Sequence, residues 1–148
     1  MTHSSIADRF SAMLTLLLLA LYTFTTLLLL NSIFHWVPLP DVNDGTISIH
    51  TTIGGLFSAL VVTQLAITLP GENPASRLIT PDTPQRARGF FNSIVFVYLS
   101  VWVAVGFVSL IVGVALYAGA NQTLSDSGTV WLGTAVAATY AYLGIRPN

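Results

Sequence analysis

The chain has 148 residues, of which 53% are hydrophobic and only 7% are charged, with a formal net charge of −1. A soluble domain carries roughly 25% charged residues, so a water-soluble globular fold, a disordered chain and a nucleic-acid-binding module are all excluded. A mean hydropathy of +0.75 leaves a membrane protein.

Charges fall in short windows, and the uncharged stretches between them define four expected helices. The first covers residues 10–35 and is rich in leucine, with runs at 16–19 and 27–30. Pro38 and Pro40 end it. The run is too long for the apolar core of a signal peptide, and Asp8 beside Arg9 makes no positive leader, so a retained span is expected. Its threonines, Thr15, Thr23, Thr25 and Thr26, can bond back to carbonyls of their own helix. The second helix covers residues 46–69, with Asp44, Thr46 and Ser48 as caps and Pro70-Gly71 as the stop. The third covers residues 84–118. Thr83 is its N-cap, Pro84 suits the first helical position, and Gly119 ends it. At about 35 residues it is longer than a hydrocarbon core of about 30 Å requires. Its first turn, Gln85-Arg86-Ala87-Arg88, is expected to protrude into water. The fourth covers residues 128–143, capped by Ser125 or Ser127.

The expected fold class is an all-α membrane protein: a four-transmembrane-helix bundle of two antiparallel hairpins, forming a single membrane domain. Arg9, Arg77, Arg86, Arg88 and Arg146 all fall on one side of a four-span arrangement, and the two remaining loops hold Asp41, Asp44 and Asp126 without any arginine. The positive-inside rule makes the arginine side cytoplasmic, with both termini inside. The absence of lysine points to an arginine-favouring, prokaryotic source, hence a prokaryotic plasma membrane. Trp36, Trp131, Tyr117 and His35 are expected in an aromatic belt at the outer interface.

Small residues at i, i+4 spacing let helices approach closely in lipid. Such pairs are Gly54/Ser58 and Gly55/Ala59 on helix 2, Ser109/Gly113 on helix 3, and Gly133/Ala137/Ala141 on helix 4. Helix 1, mostly leucine, is expected at the lipid-facing edge.

The chain has no cysteine, which excludes thiol catalysis, thiolate metal sites and iron–sulfur ligation. No carboxylate is expected inside the hydrocarbon, which counts against ion-coupled transport and acid–base catalysis. Small multidrug transporters have this size but rely on a membrane-embedded Glu, which is missing here. Arg86, Arg88 and Asn92 likewise lack the Glu of the membrane-bound glutathione and eicosanoid enzymes. Among neutral polar groups, Gln64 and Asn92 are expected at similar depth on neighbouring helices, as an interhelical hydrogen bond or a pore lining. His35 and His50, with Asp41, Asn43 and Asp44 between them, are expected to make interfacial hydrogen bonds, with a metal or axial haem ligation as the chemically competent alternative. The loop carrying Arg77, Arg86 and Arg88 reads as an orientation signal with lipid headgroup contacts. Asn121-Gln122-Thr123 fits the glycosylation pattern.

The function expected from these features is a small, non-catalytic accessory or structural subunit without a cofactor, packed against other membrane subunits or copies of itself. The alternatives are an oligomeric channel lined by neutral polar residues, and a haem- or quinone-associated electron-transfer subunit.

Overall fold

The computed structural model describes residues 3–67 and 85–143. Among them the chain forms four helices and no strand. Helix α1 is His3–Phe34 and α2 is Asp44–Ile67. Helix α3 is Gln85–Val108 and runs on as a π-helical segment, Ser109–Leu116, before α4, Gln122–Leu143. Three stretches are long and apolar enough to cross a membrane: Arg9–Phe34, Asp44–Thr63 and Asn92–Leu116.

Two asparagines set helix starts that were expected elsewhere. Asn43, not Asp44, Thr46 or Ser48, caps α2: its Oδ1 accepts from the Thr46 backbone N–H at 2.9 Å. Asn121 caps α4 in the same way through the Leu124 N–H at 3.1 Å, so α4 begins at Gln122 and Ser125 and Ser127 lie inside it. A short amide side chain satisfies an orphan donor of the first turn, which contributes about 1 kcal/mol. The Asn121 amide nitrogen also donates to Ser32 Oγ at 2.9 Å, tying the start of α4 to the end of α1.

Helix α1 ends one residue short of His35. That residue takes a left-handed conformation (φ 51) and its N–H reaches Asn31 O at 2.8 Å, the usual way to satisfy a last-turn carbonyl. The Asn31 amide then clasps Val37 from both sides, accepting its N–H and donating to its carbonyl, each at 3.0 Å. Beyond the π segment the chain turns at 117–120. The Ala120 N–H reaches Tyr117 O at 3.0 Å, and Gly119 holds φ 82, where a side chain would be strained. Phe34 stacks on Trp36 at 4.9 Å and meets the Tyr117 ring edge-on at 5.0 Å, joining the two turns.

Helix packing departs from two side-by-side hairpins. Helix α4 packs most extensively on the π segment and on α2, whereas α2 and α3, adjacent in sequence, touch little. Helices α2 and α4 run in the same direction. His50 meets Ser127 near their starts, and Val61 and Ala138 share the core further along. Helix α1 is packed into the bundle along one face, while Phe10, Leu17, Phe24 and Leu27 on it stay exposed. It buries Leu19, Tyr22, Thr25, Thr26, Leu29 and Leu30. The main core joins Leu19, Tyr22, Ile53, Phe57, Val61, Trp102, Val105 and Ala138, and a smaller one at the α1 end joins Leu29, Leu30 and Leu124.

The closest approach lies between the π segment and α4. A Cβ added at Gly128 would stand 2.6 Å from the Leu110 backbone, and one at Gly113 would stand 2.8 Å from the backbone at Leu124 and Ser125. The π segment ends with the Tyr117 N–H on Val112 O, five residues back, at 2.9 Å. Its wider turn coincides with the stretch where the two backbones touch. Gly106 leaves room for the Trp131 ring. Trp131 therefore packs inside the α3–α4 contact, whereas Trp36 and Tyr117 are exposed. Large apolar side chains such as Phe10, Phe24, Leu56, Phe96 and Phe107 point outward, a surface suited to lipid.

Candidate functional site

The buried polar centre of the bundle is His50. Ile53, Phe57 and Val61 follow it on α2 at helical spacing and are all buried, so residue 50 occupies the upper end of the same inward stripe. Its exposure is 0%. On α1, Leu19, Tyr22, Thr26 and Leu29 form the matching stripe.

Both ring nitrogens of His50 are bonded. Nδ1 lies 3.1 Å from Thr25 Oγ1 on α1, and Nε2 lies 3.0 Å from Ser127 Oγ on α4. Thr25 Oγ1 also donates to the Tyr22 carbonyl at 3.0 Å. A threonine hydroxyl has one proton and a carbonyl only accepts. This bookkeeping assigns the Nδ1 proton to the bond with Thr25, leaves Nε2 as an acceptor, and makes Ser127 the donor to it. The Tyr22 ring stacks on His50 at 5.1 Å and 21°. Tyr22 in turn meets Phe57 edge-on at 5.6 Å, and Phe57 meets Tyr98 at 5.2 Å. Tyr98 donates its hydroxyl to Phe57 O at 2.7 Å, and Trp102 Nε1 donates to Ser58 Oγ at 3.3 Å. These two bonds tie α3 to α2.

A groove of about 120 Å³ opens beside His50 between α2 and α4. Gly54, Gly55 and Ser58 form one wall, and Asp126, Ser127 and Val130 form the other. Asp126 is exposed in the second turn of α4, and its Oδ1 accepts from Gln122 Nε2 at 2.7 Å.

The two candidate histidines occupy different surroundings. His35 is exposed at the end of α1 and, with Asn31, Ser32 and Asp41, lines a separate hollow of about 330 Å³. His50 is fully buried in the second turn of α2. Among the described residues no group of three or more His, Cys, Asp or Glu comes together. Asn92 is half-buried on α3 and engaged in an interaction. The Gln64 side chain lies outside what is described, as do those of Arg86, Arg88 and Ala141, while Arg77 lies wholly outside the described residues.

The small-residue pairs divide into two groups. Gly54 packs under the Tyr22 ring, Ser58 receives the Trp102 bond, and Ser109 and Gly113 are buried against α4. Gly55 and Gly133 face open space, and Ala59 and Ala137 are exposed. Sequence reasoning did not single out Gly106 and Gly128, which carry the tightest contacts, nor Tyr22, and it read Thr25 as bonding back to its own helix, which it does, and Ser127 as a cap, without linking either to His50. The signal for the first was the seven-residue spacing of Gly106 and Gly113. The signal for His50 was its place on the Ile53/Phe57/Val61 stripe. Comparison with known protein families, curated proteins and solved structures finds no match.

Proposed function

We propose that this chain is a small four-span, non-catalytic subunit of a membrane assembly, joined laterally to other membrane subunits or to copies of itself across the outer face of α2 and α4. The observation carrying this reading is the pair of unused small-residue sites. Three glycines, Gly106, Gly113 and Gly128, are consumed by contacts within the chain, whereas Gly55 and Gly133 face open space. Gly55 and Ala59 lie one turn apart on α2. Val130, Gly133 and Ala137 share a face of α4, and Gly55 and Val130 line the same groove. A furrow of small side chains on an apolar surface is the form a lipid-embedded helix contact takes.

Native mass spectrometry after gentle extraction tests it. The wild-type chain is expected with a second chain attached. Gly55→Leu with Gly133→Leu should release it while helical circular dichroism stays unchanged, because neither side chain meets an obstacle. A wild-type monomer with nothing attached, or an assembly indifferent to both leucines, refutes the reading.

The same proposal places α4 as a fourth span, at 22 residues and about 33 Å, with both termini cytoplasmic in a prokaryotic plasma membrane. The chain's lack of cysteine makes this simple to check. An impermeant maleimide added to intact cells should label Asp41→Cys and leave Ser76→Cys unlabelled until the cells are opened. The opposite pattern reverses the orientation.

A further inference from the structure

We propose that the groove beside His50 receives a transmembrane helix of another protein, and that this helix carries a lysine or arginine whose cationic head pairs with Asp126. The proposal rests on the lateral-assembly reading above and narrows it to a partner of stated chemistry.

The argument starts from the carboxylate. Asp126 sits four residues inside α4, about 6 Å along its axis, on a face shared with exposed Val130 and Gly133. Its partner, the Gln122 amide at 2.7 Å, is neutral. An ionised carboxylate accepts several hydrogen bonds. Asp126 is exposed, so water solvates it, and a cation brought beside it would gain a charge-assisted pair.

Arg9 and the helix start that carries Arg86 and Arg88 lie at the other end. Arg9 lies near the start of α1, whereas α4 begins beside Ser32 at that helix's far end. Arg86 and Arg88 open α3, whose continuation ends next to the start of α4. At the Asp126 end the other titratable groups are acidic Asp41 and Asp44, exposed His35 and Tyr117, and buried His50 with Tyr22. A second copy lying parallel in the same membrane would therefore bring carboxylates towards Asp126, and like charges facing one another oppose docking. A different chain with a basic residue is favoured over a copy.

The groove matches such an occupant in size and lining. Small-molecule sites usually enclose roughly 300–1,000 Å³, and this groove, at about 120 Å³, suits a single side chain. Gly54 and Gly55 keep its α2 wall low. Ser58 and Ser127 also line it; the Ser58 oxygen accepts from Trp102 and the Ser127 hydroxyl is engaged with His50. Lysine and arginine can lay their aliphatic stems along the apolar wall while the head reaches the carboxylate.

The test uses the whole protein in nanodiscs and two synthetic transmembrane peptides of about 20 residues. Both carry a Gly/Ala furrow, and they differ by lysine or leucine one turn from the outer end. Binding is read by energy transfer. The lysine peptide is expected to bind wild type roughly tenfold more tightly than the leucine peptide. Asp126→Asn, which keeps the Gln122 bond and loses only the charge, should erase that difference. Equal or absent binding of the lysine peptide to wild type overturns the proposal, as does a lysine preference that survives Asp126→Asn. Oxidative cross-linking of Val130→Cys to a second copy also overturns it. So does Asp126-dependent retention of phosphatidylethanolamine over phosphatidylglycerol, which would make a lipid amine the occupant. Equal binding of both peptides, lost in Gly55→Leu, defeats the cation while leaving lateral docking intact. If docking itself fails, the assembly is also insensitive to the Gly55 and Gly133 leucines.

Discussion

Gly128→Ala is expected to destabilise the bundle by about 1–3 kcal/mol, the range for overpacking a close contact. The added methyl would stand 2.6 Å from the Leu110 Cα and N and 2.7 Å from the Ser109 carbonyl carbon. These are backbone atoms, so no rotamer change relieves the clash, and α4 must move away from the π segment. Separation also loosens the contact at Gly113, where a Cβ would meet backbone at 2.8 Å. Alanine is the better helix former by up to about 1 kcal/mol, so the net loss is smaller than the clash alone. Gly133→Ala supplies the control: it faces open space and is expected to be neutral or slightly stabilising. Unfolding of each variant in mixed micelles with increasing dodecyl sulfate measures both. A Gly128→Ala protein as stable as wild type would mean that the two backbones do not touch.

His50→Ala is expected to cost about 2–5 kcal/mol, the span of large-to-small changes at fully buried positions. Three losses combine. The ring leaves a cavity under Tyr22, the Ser127 hydroxyl loses its acceptor, and Thr25 loses its donor. The link between α2 and α4 can be isolated with a double-mutant cycle on His50→Ala and Ser127→Ala. Interhelical hydrogen bonds in membranes measured this way average about 0.6 kcal/mol and reach about 1.7. A coupling in that interval is expected, and zero coupling would remove the bond from the account of how α4 docks. His50→Gln, whose amide can extend towards Ser127, should recover part of the loss.

Much of the fold was legible because charge and proline mark boundaries directly. Pro38 and Pro40 follow the end of α1, and Gly119 sits at the left-handed position after the third helix, where only glycine is unstrained. The start of α4 was misplaced because Asp126 was read as a loop charge. A carboxylate in a second turn near an aqueous boundary is tolerated, and Asn121, four residues before Ser125, is the better cap because it satisfies the first turn and reaches Ser32 at once. Trp131 was assigned to the interface by residue type, but Gly106 opposite it makes space inside. That relation spans 25 positions and leaves no local periodic trace. The arrangement around His50 was hidden for the same reason. Its partners stand 25 positions before it and 77 after it, so only the packing of α1, α2 and α4 brings them together.

The pairing of α2 with α4, instead of with its neighbour in sequence, has a consequence for biosynthesis. A ribosome emits α2 well before α4, and domains assemble from the N-terminus as the chain emerges. During that interval Thr25 is already present to match one ring nitrogen of His50, whereas Ser127 has not been made. Until α4 follows, the second helix carries an unmatched acceptor, and Ser127 on α4 completes it. A nascent chain that stops before α4 leaves the Nε2 nitrogen of His50 without its partner.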